Sequence, residues 1–358
     1  MSKRLRSVAV PVVLLSIVAA ACAKSTTSGS SNSAGPNCPS GFKVSLALDV
    51  GGLGDQSFND AANRGLQKAI TDGLVCKDNV KLVPANAAGS NLDDNTQALA
   101  SAGYNYVEGV GFSFSPGIAK IAKQFPNVDF GVIDGYATTL PGGKGAPNVT
   151  DLTFKEQEGS YLVGIAAAMQ AKADGSSIVG FLGGQTGPLI GKFQAGYTAG
   201  VHSVDPGIKV LVEYIGDTTQ AFVNPTAGKA LSEKMYTEGA DVVYHAAGLS
   251  GAGLFQAAAE KKKWAIGVDS DQYLTASADQ KPYILTSMLK RVDTATYNAI
   301  KQAGAGTFKS GFQVFDLAGN GVDFSKSNPA LTADMVAAMN AAKQKIIAGQ
   351  IQVPDTPS

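Results

Sequence analysis

The sequence predicts an α/β fold of two lobes, each built around a doubly wound parallel sheet. Short strand patterns alternate with helical patterns from residue 42 onward, and the same rhythm restarts after residue 152. Alternation of this kind is typical of parallel strands joined by crossover connections. Surplus elements beyond Tyr283 predict that the chain crosses back between the lobes and completes both sheets.

The first lobe is predicted from strand patterns that are each followed by helical spacing. Its first strand shows the period of two at Val44, Leu46, Leu48 and Val50. Ser115 before Pro116 has the order expected where a helix begins. Further strands are predicted at 79–83, 104–110 and 128–133, and helices at 62–70, at 92–102 and from Ser115 onward.

The second lobe is predicted from the same rhythm after residue 152, although no sequence repeat of fixed short period is present. Strands are predicted at 178–182, 208–215, 241–245 and 264–268. Helices are predicted at 155–171, 189–202 and 253–262, with another opened by Asn224 and Pro225. The tail beyond Tyr283 adds at least one strand and helices at 292–303 and 332–347.

These patterns set the expected domain boundaries. The amino-terminal lobe is expected to comprise residues 41–151 and 289–306, and the carboxy-terminal lobe residues 152–288 and 307–353. The chain would then pass between the lobes near residues 152, 288 and 307. Three such crossovers form a hinge that allows the lobes to close around a ligand.

The amino terminus has the order of a secretory signal peptide over residues 1–21. A basic start at Lys3, Arg4 and Arg6 precedes a short apolar run and a group of small residues. Cys22 comes next, which indicates cleavage before it and lipidation of its thiol; the alternative is a plain signal peptide cleaved nearby. Residues 22–40 then form a Ser/Thr/Gly-rich tether whose composition does not support a packed core.

Charge and cysteine content restrict the partners further. The 29 basic residues equal the 29 acidic ones and form no cluster, so nucleic acid is not expected as a partner. Lipidation of Cys22 would leave one pair of cysteines, Cys38 and Cys76. These two precede the first and second strands, whose starting ends lie side by side if the strands are parallel neighbours. A disulfide between them is therefore expected in an oxidising compartment.

The segment 55–60 is the most distinctive local feature of the sequence. Ser57 and Asp60 have the spacing of a capping box, which predicts that a helix begins there, directly beyond the first strand. Phe58 and Asn59 would then lie at the carboxyl end of a parallel strand, where open α/β sheets bind ligands. The alternative is that Phe58 packs the helix onto the sheet.

Other predicted strands also end in polar or aromatic residues. A single acidic residue at such a position is as easily a helix cap as a ligand group. Residues of this kind in both lobes, together with two aromatic rings, instead suit a ligand with a flat apolar part and hydroxyls. The residues concerned are Asp134, Asp217, Phe222, Gly248, Ser250, Gly251, Gly253, Asp269 and Asp271.

Enzymatic patterns are incomplete throughout. The segment 187–192 resembles a phosphate loop, but Thr186 stands where the first glycine belongs and Phe193 replaces the Ser or Thr. The segment 248–252 lacks the last glycine of a nucleophile elbow. The two histidines, His202 and His245, have no metal-ligand spacing. Neither an enzyme nor a metal or other cofactor is expected.

Several motifs resemble one known family, the basic membrane proteins, which are bacterial lipoproteins acting as purine nucleoside receptors of ABC transporters. The motifs cover nearly the whole chain after the tether, in the expected order, and they lie at 55–59, 154–162, 178–184, 267–272 and 285–293. The resemblance implies a type I periplasmic-binding-protein fold with two Rossmann-like lobes. It also implies a nucleoside held between the lobes, a permease as partner and a lipid anchor to the outer face of the cell membrane.

The resemblance also implies roles for individual residues. Phe58 and Phe222 resemble the two rings that sandwich the base, and Asp134 the carboxylate that reads the base edge. The resemblance also carries over Asn59, Gly248, Asp269 and Lys290, and Asp55 and Ser57, in the same segment as Phe58, are expected to bind the ligand as well. Among them, Asp269 and Lys290 resemble the partners of the ribose hydroxyls, and Gly248 allows close backbone approach. The segment 185–188 departs from the family's form of this loop, and the match around Phe222 is loose.

The implied ligand is a purine nucleoside, namely adenosine, guanosine or inosine. Three alternatives remain at this point. The first is a receptor for a sugar or another polyol, which would use one stacking ring and many polar groups. The second is a surface lipoprotein that senses a ligand or acts as an adhesin without a role in transport. The third is a hydrolase, for which no nucleophile and base are paired in the sequence.

Overall fold

The computed structural model describes residues 38–357, and these residues contain two six-stranded sheets. We call them the first and second lobe in chain order. The first sheet contains β1 (Val44–Leu48), β2 (Val80–Pro84), β3 (Tyr106–Val110), β4 (Asp129–Ile133), β5 (Val149–Phe154) and β11 (Gly311–Phe315). The second contains β6 (Ile178–Gln185), β7 (Lys209–Gly216), β8 (Val242–Ala246), β9 (Trp264–Asp269), β10 (Ile284–Lys290) and β12 (Val322–Phe324).

The two sheets have equivalent strand orders. Their strand orders are β11-β5-β4-β3-β1-β2 and β12-β10-β9-β8-β6-β7. Every pairing is parallel except that of β12 with β10. The prediction of two doubly wound parallel sheets is therefore confirmed.

Ten α-helices cover the sheets in the part of the chain that the structure describes, together with short 3-10 turns. They are α1 (Phe58–Thr71), α2 (Leu92–Ser101), α3 (Ser115–Ile121), α4 (Glu156–Ala173), α5 (Pro188–Val204), α6 (Pro225–Thr237), α7 (Gly251–Lys261), α8 (Gln272–Thr275), α9 (Val292–Gly304) and α10 (Ala333–Ile347). The side chain of Asn224 caps α6 by accepting a hydrogen bond from the Ala227 amide, and Pro225 takes the first helical position.

The chain passes between the lobes at three places, and each of them lies later in the sequence than expected, since β10 keeps residues 289 and 290 in the second sheet. β5 continues to Phe154 in the first sheet, so the first passage follows residue 154 rather than 151. The second passage lies between β10 and α9, a helix that packs on α1 of the first lobe. β11 pairs with β5, so the expected start of the second lobe's last segment at residue 307 is wrong. The third passage lies between β11 and β12.

The helices that follow the first two crossovers each pack on a helix of the lobe that the chain has just entered, α4 on α5 and α9 on α1. α4 is buried on almost every side against α5, and glycines on both helices permit the close approach. A Cβ atom at Gly200 would lie 2.1 Å from the Tyr161 carbonyl oxygen, and one at Gly164 would lie 2.3 Å from that of Tyr197. No larger residue fits at either position without moving the two helices apart.

A disulfide joins Cys38 to Cys76 at the amino ends of β1 and β2, with the two Cα atoms 5.2 Å apart. The side chain of Asn79 donates a hydrogen bond to the Ser40 carbonyl across the same junction. Closing a loop of this length stabilises the fold by on the order of 3–4 kcal/mol in the chain-entropy model. The predicted signal peptide at 1–21, the Cys22 lipidation site and most of the 22–40 tether lie outside the described residues.

Candidate ligand site between the lobes

A cavity lies between the lobes at the carboxyl ends of the parallel strands. Loops and helix starts of both lobes line it, as expected for an open α/β sheet. The first lobe contributes Asp49, Val50, Asp55, Phe58, Asn59, Gly111, Phe112 and Asp134. The second sheet and its helices contribute Leu189, Ile190, Phe193, Phe222, Ala246, Gly248, Leu249, Val268, Asp269 and Lys290.

Two aromatic rings line the cavity, one from each lobe. Phe58 is the first residue of α1, and Phe222 ends the 3-10 turn Thr219–Phe222. The ring of Phe222 lies so close to Gly184 that a Cβ atom there would be 2.4 Å from it. Gly248 has a positive φ of 54° and also lies against Phe222. The sequence indicated Gly248 as a site residue but assigned no such role to Gly184.

Asp134 and Asp269 occupy equivalent positions in the two lobes. Asp134 follows β4 and Asp269 ends β9, and both strands are third in their sheets. Their φ angles are 59° and 63°, in the left-handed region that Asp tolerates better than most residues. The same backbone turn therefore brings one carboxylate from each lobe to the cavity.

Lys290 is the buried cation of the site. Its Nζ lies 2.6 Å from Asp134 Oδ1 and 3.1 Å from Glu156 Oε1. It also lies 4.9–5.4 Å from the ring centroids of three phenylalanines, which favours the charged form. Burial would lower the pKa of Lys290, but the carboxylates of Asp134, Glu156 and Asp269 together raise it. The surroundings of Lys290 therefore favour its charged form.

Asp55 organises the start of α1. Its carboxylate accepts hydrogen bonds from the backbone amides of Ser57, Asn59 and Asp60, and from the Asn59 side chain. The predicted capping box of Ser57 with Asp60 is wrong, because Asp60 accepts from the Gly54 and Gln56 amides instead. Asp55, three residues before the first helical residue, thus satisfies the free amides that the capping box would have served.

Ser57 does not line the cavity. Its hydroxyl donates to Asp269 Oδ2 at 2.6 Å, and its carbonyl accepts from the Ser270 hydroxyl at 2.9 Å. The role of Ser57 in the structure is thus to join the lobes and to orient Asp269. Asn59 lines the cavity, but its amide also bonds Asp55 and the Asp49 backbone.

Carboxylates outnumber cations around the cavity. Burial raises the pKa of Asp49 to about 6, and it also raises the pKa values of Asp55 and Asp269. Ionised carboxylates only accept hydrogen bonds, so the cavity suits a ligand rich in donors. Asp49 and Phe193 were not expected from the sequence. Asp49 lies one residue beyond β1, and Phe193 lies within a helix where its spacing resembles that of a core residue.

Within residues 38–357, no group of three or more His, Cys, Asp or Glu side chains is placed to hold a metal ion. The helices of that region include none with the length and apolar composition needed to span a membrane.

Comparisons with known proteins agree with this geometry. The chain is 33% identical to a CD4+ T-cell-stimulating antigen of Listeria innocua, over all of both chains. It is 32% identical to an ABC transporter nucleoside-binding protein of Lactococcus lactis, over 98% of this chain and 99% of that one. A solved ABC transporter solute-binding protein of Aeropyrum pernix superimposes with a TM-score of 0.74 at 28% identity, covering 87% of this chain and 94% of the other.

The family model for PnrA-like substrate-binding proteins of ABC transporters, Bmp, matches residues 42–357. This range includes both lobes, the three crossovers and every residue of the cavity described above. The chain therefore belongs to the Bmp family of ABC transporter substrate-binding proteins.

Proposed function

We propose that this substrate-binding protein captures a purine nucleoside in the inter-lobe cavity and delivers it to the permease of an ABC transporter. One observation carries the proposal. Phe58 and Phe222, one ring from each lobe, line the same cavity as the carboxylates of Asp134 and Asp269 and the ammonium of Lys290. Rings and hydrogen-bonding groups are thus combined as a nucleoside requires.

The chemistry of the ligand matches these groups. A purine has two apolar faces, and stacking on an aromatic ring contributes about 1–3 kcal/mol per base in single-stranded nucleic acid complexes. We assign the base faces to Phe58 and Phe222 and the base edge to Asp134, beside Asn59. The ribose hydroxyls are donors that suit Asp269, and Lys290 is placed to donate to their oxygens.

The same groups disfavour anions. A phosphate would enter a cavity where the carboxylates of Asp49, Asp55, Asp134 and Asp269 face a single buried ammonium. The charge on Lys290 is already compensated by Asp134 and Glu156. Nucleotides should therefore bind more weakly than nucleosides.

A relative supports the assignment by its name, since the Lactococcus lactis protein is described as nucleoside-binding. The second candidate is a sugar or polyol receptor, because carboxylates also accept hydrogen bonds from sugar hydroxyls. Phe222 distinguishes the two candidates, since a polyol needs only one stacking ring.

The test is calorimetric titration of refolded, ligand-free protein with adenosine, guanosine, inosine, uridine, ribose and AMP. We expect the tightest binding for a purine nucleoside, and severe weakening by Phe58→Ala or Asp269→Ala in a protein that remains folded. Ribose or AMP bound as tightly as the best nucleoside would contradict the proposal. Tight ribose binding that is insensitive to Phe222→Ala would instead favour the sugar receptor.

Substrate-binding proteins of ABC importers act outside the cytoplasm. We further propose that this one is held at the membrane by a lipid on Cys22, because a basic, apolar and small-residue order precedes that cysteine. Mass spectrometry of membrane-extracted protein should find a diacylglyceryl mass on an amino-terminal Cys22 peptide. Cys22→Ser should release the protein without unfolding it, and an unmodified amino terminus at another residue would contradict the proposal.

A further inference from the structure

A fully buried glutamate lies next to Lys290 without lining the cavity. Glu156 is the first residue of α4, directly after the first crossover. Its Oε1 lies 3.1 Å from Lys290 Nζ, and its Oε2 lies 3.3 Å from Lys192 Nζ. With Asp134, these side chains form a series of alternating charge, Asp134–Lys290–Glu156–Lys192, which we call the ion chain.

The ion chain connects the two lobes where the polypeptide crosses between them. Asp134 follows a strand of the first sheet, and Lys290 ends a strand of the second. Glu156 follows the first crossover and Lys290 precedes the second, so their ion pair joins the two passages. Lys192, in α5 of the second lobe, brings the ion chain to the partly exposed surface.

The burial of this series gives Glu156 a strong influence on its neighbours. Removing one partner of a buried ion pair leaves an uncompensated charge, which is far more costly than the loss of an exposed pair. Lys290 has two direct carboxylate partners, Asp134 and Glu156. A change of charge at position 156 must therefore alter how the ammonium is shared between them.

We propose that Glu156 is a positioning residue, which holds the Lys290 ammonium at the junction of the lobes and sets how far that ammonium neutralises Asp134. The part concerning the ligand rests on the proposed function, since Asp134 and Lys290 act on the nucleoside there. Other ionisable groups face the ion chain, namely Asp269 from β9 with Asp55 behind it, and the Tyr244 hydroxyl from β8.

The first test needs no ligand. The Asp134 carboxyl carbon is followed by NMR as the pH changes, and its signal is assigned from Asp134→Asn. Glu156→Gln should lower the Asp134 titration midpoint for two reasons. It removes a negative charge near Asp134, and the Lys290 ammonium then pairs with Asp134 alone. Lys192→Met should raise that midpoint, because Glu156 then draws Lys290 more strongly. Even if Glu156→Gln fails to fold, the direction found with Lys192→Met still decides the matter.

Glu158→Gln is the matched control. Glu158 is also buried in the first turn of α4, but its partners are Lys155 and the Leu317 amide rather than Lys290. It should leave the Asp134 midpoint unchanged. A shift as large as that of Glu156→Gln, or no shift in folded Glu156→Gln and Lys192→Met proteins, would overturn the proposal.

The second test measures inosine affinity by calorimetry. Glu156→Gln should weaken binding about tenfold or more and move the acidic limit of binding to lower pH, and Glu156→Asp should restore part of the affinity. Unchanged affinity in Glu156→Gln would overturn the ligand part of the proposal. Wild-type protein that binds no nucleoside would contradict the proposed function, while the NMR result would still decide the role of Glu156 in the ion chain.

Discussion

The first and second lobes repeat one backbone plan. Their sheets have equivalent strand orders, and β4 and β9 both lead to an aspartate with positive φ. The helices after the first two crossovers, α4 and α9, are each hydrogen-bonded to a central strand through the side chain of their fifth residue. Ser160 of α4 bonds the Tyr244 hydroxyl on β8, and Thr296 of α9 donates to Glu108 on β3.

The lobes differ in the ionisable groups attached to this plan. Asp134 pairs with the cation Lys290, whereas Asp269 accepts from the neutral hydroxyl of Ser57. The first lobe buries the acid Glu108 in its central strand, and the second buries the base His245. The comparison shows that both lobes share the backbone geometry that brings a carboxylate to the cavity. The ionisable groups around that backbone differ, so the stability of each lobe should depend on pH in its own way.

The largest expected difference concerns the equivalent aspartates. Asp134→Ala should lower the free energy of unfolding by about 3–5 kcal/mol, because it leaves a buried cation with one partner fewer. Asp269→Ala should cost only about 1–3 kcal/mol, because its direct partner is a neutral hydroxyl. Both changes place alanine in left-handed backbone, so that strain cancels in the comparison. Urea denaturation at pH 7 measures both costs, and equal values would contradict the distinction.

The two lobes should also respond oppositely to pH. Burial lowers the pKa of His245 from 6.5 to about 4. Between these values the unfolded chain binds more protons than the folded protein, so acidification lowers the free energy of unfolding. The full loss below pH 4 is about 3 kcal/mol. Denaturation of wild type and His245→Asn across pH 4–7 should show that the variant lacks this acid-dependent loss.

Glu108 should make the free energy of unfolding depend on pH in the opposite direction, by a similar amount. Burial raises its pKa from 4.5 to about 7, despite hydrogen bonds from Thr296 and Tyr106. The folded protein then binds more protons between these values, so the free energy of unfolding falls by about 3 kcal/mol as the pH rises through them. Glu108→Gln should remove that fall. If the free energy of unfolding of the variant depends on pH as that of the wild type does, another group must be responsible for the dependence.

The smallest expected losses of stability come from removing the hydrogen bonds of Ser160 and Thr296, and the pH dependence of the loss distinguishes the two. Ser160→Ala and Thr296→Val should each cost about 1–2 kcal/mol, because each leaves a buried polar partner with one hydrogen bond fewer. The cost of Thr296→Val should grow from pH 5 to pH 7, since Thr296 stabilises the ionised form of Glu108. The cost of Ser160→Ala should stay constant over that range, which paired denaturation curves would establish.

The sequence was sufficient for the features that depend on local pattern. The period of two at Val44, Leu46 and Leu48 located β1, and polar residues after strands located Asp134 and Asp269. These predictions succeed because parallel strands bring their carboxyl ends to one edge. The disulfide pair followed from the cysteine count and the same parallel arrangement.

Long-range interactions, and the outcome of competition between neighbouring acceptors, could not be predicted from the sequence. The membership of β11 in the first sheet depends on its pairing with β5, far away in the chain, and nothing local specifies that pairing. The start of α1 offered several acceptors, and Asp55 rather than Ser57 took the free amides. The ion pair of Glu156 with Lys290 could not be predicted, because the two residues are distant in sequence.

The disulfide described above has a mechanical consequence. A pull on the chain ahead of Cys38 enters the first lobe by two routes, along the backbone into β1 and through the sulfur bridge to the start of β2. Both routes reach the amino ends of the strands, whereas the cavity lies at their carboxyl ends. Tension from the proposed anchor at Cys22 would thus be shared by two neighbouring strands and would not act directly on the loops that line the cavity. Reduction of the bridge would direct the whole load into β1.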